Sequence, residues 1–221
     1  MMFFSFINKK LLLPCAVGAI LLGQVGIALS GVYDDLLKAI ENNDTGEVTA
    51  ILQRGMDVNT VDKSGNSLLM LAVQKDNIEL VRYLLSHRAR PGIRNQYGDT
   101  PLMLASLKGQ AETVRLLVTA GAEINQAGWT ALAYAAYEGH EEVVKFLIDK
   151  GADVDARAPN QATALMMAAK NGHIGTVRLL LDADADTGIE APDGATALEW
   201  AKEAGWGQIV QMLRLAEKEE R

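Results

Sequence analysis

The residues that could do chemistry are few. There are three histidines, His87, His140 and His173, and one cysteine, Cys15. The densest run of oxygen ligands is Asp182-Ala183-Asp184-Ala185-Asp186-Thr187-Gly188, with Glu190 and Asp193 beyond it. Carboxylates at alternate positions suit a hard cation such as calcium, and Asp193 falls at the twelfth place of an EF-hand-like loop. Against that, the glycine comes one residue late and the closing ligand is Asp rather than Glu. No Gly-x-Ser-x-Gly elbow, phosphate-cradling glycine loop or His-Glu-x-x-His pair is present. The expectation is therefore a protein that is not an enzyme and needs neither cofactor nor metal. A calcium-stabilised structural module and a hydrolase are the alternatives, and the second lacks a nucleophile–base pair.

Composition narrows the partners. The net charge of −7 argues against holding a nucleic acid by phosphate neutralisation. With one cysteine no internal disulfide framework can form. Aromatic residues are only 5% of the 221, so the 49% apolar content is carried by Ala, Leu, Val and Met.

Residues 1–30 stand apart. Lys9-Lys10 precede an uncharged stretch, Leu11–Leu29, and Ala28-Leu29-Ser30 offers small residues for a cut after Ser30, or after Ala28. A positive start, an apolar run and a small-residue site read as a secretory signal peptide. The stretch also approaches the ~20 residues that span a bilayer, so a membrane-tethered protein with an uncleaved anchor is the rival. Pro14, Gly18, Gly23, Gln24 and Gly26 weaken such an anchor, and Pro14 disfavours Cys15 as a lipid-attachment site. Cleavage would leave a thiol-free chain with 19 basic and 28 acidic residues, a charge of −9. Such a chain suits an oxidising exported compartment, the periplasm being the expected one.

Whatever the remaining side chains do depends on the elements that hold them, and those elements recur. A Gly-x-Thr-like pattern appears at Gly65-Asn66-Ser67, Gly98-Asp99-Thr100, Gly128-Trp129-Thr130, Gln161-Ala162-Thr163 and Gly194-Ala195-Thr196. The hydroxyl residues are spaced 33, 30, 33 and 33 apart. Leu69, Leu102, Leu132, Leu165 and Leu198 follow in register, then Ala72, Ala105, Ala135, Ala168 and Ala201, then Val81, Val114, Val144, Val177 and Val210. Ala39, Val48 and Ile51-Leu52 add a leading partial unit. A fixed period near 33 signals a repeat architecture.

One unit can be read chemically. The hydroxyl residue suits a helix N-cap, worth ~1 kcal/mol. Pro101 fits the first helical position, and Thr196 with Glu199 makes a capping box. Gly109, Gly139, Gly172 and Gly205 suit the left-handed end of a first short helix. A second helix ends at Gly121-Ala122 or Gly151-Ala152. Helices of about two turns lie below the ~12 residues needed for stability alone. Stacking must supply it, through close approach at Ala and ~1.5–3 kcal/mol per buried Leu or Val.

Thr100-Pro101-Leu102, Gly139-His140, Gly172-His173, Asp57-Val58-Asn59 and Gly151-Ala152-Asp153-Val154-Asp155 resemble the ankyrin-repeat family, whose pattern is G-x-T-P-L-H-x-A-A-x-x-G-H, V-x-x-L-L and G-A-D-V-N. The resemblance covers about 32–221. It implies an all-α repeat solenoid, a stack of antiparallel helix pairs with β-hairpin fingers. The units are expected at 31–61, 62–94, 95–125, 126–157, 158–190 and 191–221.

There are departures. The His of T-P-L-H is replaced by Met70, Met103, Ala133, Met166 and Glu199, so apolar packing is expected where the family has polar bonds. Gly121–Thr130 is three residues short, so that finger is expected to be truncated or rearranged. Arg88 and Asp184 stand where the second helix usually ends in Gly, and Asp tolerates that backbone better than Arg. His140 and His173 occupy equivalent places in adjacent units. Packed helices lie ~8–10 Å apart and zinc ligands ~2 Å from the metal, so a shared zinc site is not expected. The terminal unit carries a polar outer face in Arg214, Glu217, Lys218, Glu219, Glu220 and Arg221.

The family likeness also implies a protein–protein interaction role, with fingers and first helices forming the binding face. On that register the expected contacts with another protein are Tyr97, Asp99, Leu107, Lys108, Trp129, Tyr137 and Glu138. Gln96, Gln126, Asn160, Lys170 and Asn171 lie nearby. Trp and Tyr favour interface centres, and Tyr97, Leu107, Trp129 and Tyr137 fall mid-stack. Tyr134 and Trp200 are expected to pack inward. A monomer is expected.

Overall fold

A computed structural model describes residues 31–219. The signal-peptide and anchor readings of residues 1–30, and Glu220 and Arg221 of the polar end, lie outside the described residues. Twelve helical segments occur among them, joined as six pairs: α1 (31–41) with α2 (Thr45–Gln53), α3 (Leu68–Gln74) with α4 (Ile78–Ser86), and α5 (Pro101–Leu107) with α6 (Ala111–Thr119). Then follow α7 (Ala131–Glu138) with α8 (Glu141–Asp149), α9 (Ala164–Asn171) with α10 (Ile174–Leu181), and α11 (Ala197–Glu203) with α12 (Gly207–Glu219). Helix α3 packs on α5, α5 on α7, α7 on α9 and α9 on α11, while the even-numbered helices stack beside them as a second layer. The chain is an all-α repeat solenoid. None of the described helices is long and apolar enough to cross a membrane.

The caps form as the spacing predicts. Ser67, Thr100, Thr130 and Thr163 each accept the N–H three residues on, at 3.1–3.4 Å. At the last unit the Glu199 carboxylate reaches back to both the Thr196 N–H and its hydroxyl. Met103, in the place of the family's His, is more than apolar filling, because its Sδ accepts the Thr100 N–H at 3.4 Å.

The core follows the repeat. Ala72, Ala105, Ala135, Ala168 and Ala201 are wholly buried, which is how the first helices approach so closely. Val81, Val114, Val144 and Val177 are likewise wholly buried. Val210 is half-buried, since no described helix covers α12 on that side.

The backbone period is sharper than the letters show. Three residues in each inner unit, and two in each terminal one, adopt positive φ. The first helix ends at Asn43, Asp76, Gly109, Gly139, Gly172 and Gly205, the second at Gly55, Arg88, Gly121, Gly151 and Asp184, and the finger turns at Gly65, Gly98, Gly128, Gln161 and Gly194. From the second-helix end to the finger turn is ten residues everywhere except Gly121 to Gly128, which is seven. The three missing residues therefore lie in one finger.

The fingers are tight turns rather than β-hairpins. Among the described residues the one isolated bridge outside a ladder joins Val61 to Ser67. Each regular finger closes by two backbone hydrogen bonds, as where Asn95 N–H donates to Asp99 O at 3.0 Å and Gly98 N–H to Asn95 O at 2.9 Å. In the short finger no such pairing forms among the described residues.

A hydrogen-bond ladder ties each pair to the one before. Asn77 Nδ2 donates to Asn43 Oδ1 and Thr45 Oγ1, and Gln110 Nε2 donates to the Val73 carbonyl at 2.9 Å. His140 Nε2 meets the Leu107 carbonyl at 3.0 Å and His173 Nε2 the Tyr137 carbonyl at 2.9 Å, and Trp206 Nε1 donates to the Lys170 carbonyl at 2.9 Å. These carbonyls lie in the last turn of a first helix, where intrahelical donors run out. Each ring lies flat over a glycine. A Cβ on Gly109, Gly139 or Gly172 would come within 2.4–2.6 Å of His140, His173 or Trp206. The histidines are thus committed to the stack.

Candidate functional site

The site is built from the short finger outward. Gly128 turns the chain at a φ of 96°, Thr130 caps α7, and Trp129 is held between them. The indole stacks on Tyr134 of α7, with ring centroids 5.5 Å apart and planes 25° from parallel. The Tyr134 hydroxyl donates to Asp99 Oδ1 of the preceding finger at 2.9 Å. Burial first, then the hydrogen bond and charge of Asp99, push the Tyr134 phenol up to about 12. Asp99 thus fixes the platform under Trp129, and its carboxylate is engaged within the protein.

Beside this platform lies a crevice of about 100 Å³, walled by Trp129, Tyr137, Met167 and Trp200, with Asn160, Lys170 and Asn171 also lining it. The Lys170 ammonium sits 4.8 Å from the centre of the Trp200 ring, a cation–π contact. Asn171 Nδ2 donates to the Tyr137 carbonyl at 2.9 Å and fixes one wall. Tyr137 is 49% exposed and Trp129 half-buried, so the crevice offers aromatic surface to solvent.

The expected contact residues divide accordingly. Trp129 and Tyr137 share the crevice. Tyr97 is 76% exposed on the preceding finger and does not line it. Leu107 is half-buried, and Lys108 and Glu138 are exposed outside it. Trp200, expected to pack inward, is half-buried and forms a wall as well. Met167 escaped sequence reading. The period could have pointed to it, because Tyr134, Met167 and Trp200 are one position 33 residues apart, in line with Leu71 and Leu104.

Metal-like residues are not gathered. Asp184 takes the left-handed turn after α10, and the Asp186 carboxylate accepts the Gly188 N–H at 2.8 Å. Among the described residues no group of three or more His, Cys, Asp or Glu is placed to hold a metal ion. His87 lies apart, stacked on Tyr83 with its Nδ1 2.8 Å from the Tyr83 carbonyl.

Comparison with known proteins agrees with the backbone period. The family model described as ankyrin repeats matches three times, at residues 36–127, 88–158 and 154–220. The chain is 39% identical over 80 residues to the glycerophosphocholine phosphodiesterase gde1 of Schizosaccharomyces pombe, covering 36% of this chain and 7% of that protein. It is 30% identical over 126 residues to the putative ankyrin repeat protein FPV018 of Fowlpox virus, covering 52% and 18%. It is 36% identical over 78 residues to the human 2-5A-dependent ribonuclease, covering 35% and 10%. The matched segments thus span less than a fifth of each of these relatives. With the family model covering most of its length and each unit built on the same two helices, turn and finger, the chain belongs to the ankyrin-repeat family.

Proposed function

We propose that this protein is a non-enzymatic interaction module that binds another protein through the face made by its fingers and first helices. The observation that carries this reading is the crevice of Trp129, Tyr137, Met167 and Trp200 on that face. Beyond residue 30 the chain has nine aromatic residues, and Trp129, Tyr134, Tyr137 and Trp200 gather here. Aromatic anchors at a water-excluding pocket carry most of the energy of a protein interface. A surface already ordered by caps, ladder and platform loses little further entropy on association. Tyr97, Lys108 and Glu138 stand exposed around the anchors and would steer the partner. The acidic charge gives no footing for a nucleic acid. The first thirty residues are read as an export signal, which places the interaction in the periplasm, with the repeats as a monomer.

Replacing both Trp129 and Tyr137 by Ala should weaken capture of a cross-linked partner while far-UV dichroism stays unchanged. Capture at full strength by that variant would overturn the site. Mass spectrometry of the protein recovered from the exported compartment should find Met1–Ser30 or Met1–Ala28 removed; an intact N-terminus would replace the export reading with the tethered one.

A further inference from the structure

The aromatic crevice carries charge of one sign only. Lys170 is the one charged residue on its walls, and no carboxylate lines it. Lys170 is exposed, its ammonium stands over the Trp200 wall, and it makes no ion pair among the described residues. Asn160, exposed on the same crevice, spends its Oδ1 on the Ala162 N–H at 3.2 Å, which leaves its Nδ2 with donors to give.

Aromatic walls alone would suit a cation. Here Lys170 already takes the face of Trp200, and a second cation would meet that charge with no carboxylate on the walls to offset it. The crevice therefore selects a negatively charged group beside an apolar one. Its most buried wall is Met167, at 4% exposure. Its volume of about 100 Å³ is below the ~150 Å³ of a cavity that takes up benzene, so the apolar group that fits is aliphatic rather than a ring.

The positive charge continues along the same face. In the repeat register the first helices end in Gln74-Lys75, Leu107-Lys108, Tyr137-Glu138, Lys170-Asn171 and Glu203-Ala204. Lys75 and Lys108 are exposed and likewise make no ion pair among the described residues. A chain of net charge −7 thus keeps unpaired lysines at these helix ends, with Glu138 between Lys108 and Lys170. Helix α5 packs on α7 and α7 on α9. At ~8–10 Å a step, Lys108 and Lys170 are about 16–20 Å apart, which is about five or six residues of extended chain.

We propose that the partner is an extended acidic segment that seats an aliphatic side chain in the crevice. An Asp or Glu next to that side chain pairs with Lys170, and a second acid about five or six residues away reaches Lys108. The stretch between them passes Glu138 and is free of acids there. A free chain end would bring one carboxylate to Lys170 and leave Lys108 unmatched, and a small organic acid would leave the aromatic walls wet. The proposal rests on the reading of the crevice as a protein-binding site and names the chemistry of what it binds.

The probe is a library of random peptides of about twelve residues, twice the expected interval, panned on the full chain. They are displayed through their C-termini, so no free carboxyl end is offered. Selected peptides should share a Leu, Ile, Val or Met beside Asp or Glu, with a second acid about five or six residues away. They should lose about tenfold in affinity on Lys170→Met and about threefold on Lys108→Met. Both lysines are exposed, so neither change disturbs the stack. Added salt should weaken binding to the parent more than binding to Lys170→Met. Panning on Lys170→Glu should put Lys or Arg where the parent selects the acid. A library without binders, binders that lack the acid, or binders indifferent to Lys170→Met would each overturn the proposal. Binders indifferent to Lys170→Met but lost on the Trp129→Ala, Tyr137→Ala double variant would overturn it and leave the crevice reading in place. Binders indifferent to both would remove the crevice reading as well.

Discussion

The finger before α5 and the finger before α7 show what three residues do. In the first, Asn95 is buried and fully used, accepting the Tyr97 and Asp99 N–H groups and donating to Asn66 Oδ1, each at 3.0 Å. That finger is closed on itself and on its neighbour. In the second, Asn125 is exposed and bonds forward instead, donating to the Gly151 carbonyl at 2.8 Å and accepting the Asp153 N–H at 2.9 Å. Gln126 is buried with its acceptor open. The helices beneath are alike, so shortening a finger changes the surface and leaves the stack intact. One layer carries stability, and on the proposed function the other carries recognition.

That division can be broken at several points. The largest effect is expected from Gly109→Ala and Gly139→Ala. Each adds left-handed strain of ~1–2 kcal/mol and an overpacking collision with the ring above of ~1–3 kcal/mol. Both should lose about 3 kcal/mol in denaturant melts, and to the same extent although only Gly109 lies at the short-finger junction. Unequal losses would show that the shortened finger disturbs the stack. Next, Asn95→Ala removes three hydrogen bonds from a buried site and should cost about 2–3 kcal/mol, whereas Asn125→Ala at an exposed site should cost about 1 kcal/mol. Equal costs would erase the contrast between the fingers.

Tyr134→Phe deletes the hydroxyl bond to Asp99, which joins the two fingers, and should cost about 1 kcal/mol near neutral pH. The phenol is held near 12 in the folded protein against 10 ordinarily, so its folded pKa is raised. The hydroxyl's contribution is then complete below pH 10 and is lost as pH rises through 12. The stability gap between parent and variant should therefore close over pH 10–12; a gap independent of pH would mean that Tyr134 titrates freely. The smallest effect is expected from Arg88→Gly. It relieves a φ of 66° at a second-helix end and should stabilise by up to about 1 kcal/mol, less the flexibility glycine adds to the unfolded chain.

Much of the stack was legible because its determinants are written in recurring letters. Hydroxyl caps, wholly buried Ala and the Leu and Val positions all repeat by residue type, and the 30-residue interval located the short finger. The ladder was not legible for the opposite reason. Only His140 and His173 share a residue type; Asn77, Gln110 and Trp206 look like exceptions beside them. Their common property is a side-chain N–H of the right reach, which only the geometry brings out. The left-handed turns at Asn43, Asp76 and Gln161 were hidden in the same way, because sequence reading searches for glycine there. At the site, Trp129 and Tyr137 could be placed by register. The role of Trp200 could not, because an inner-helix position says that a ring packs inward without saying how much of its face stays uncovered.

The ladder also has a direction. In every rung the donor belongs to the later unit and the acceptor to the earlier one. A chain leaving the ribosome presents its N-terminal units first, at ~5–20 residues per second. Each finished helix pair therefore exposes its acceptor to water while it waits, and the donor that closes it arrives about one repeat, or a few seconds, later. In four of the five rungs the waiting group is a backbone carbonyl; only at Asn77 is it a side chain, Asn43 Oδ1 with Thr45 Oγ1. The stack can consequently be assembled in the order in which it is translated, each pair seating on a template already complete.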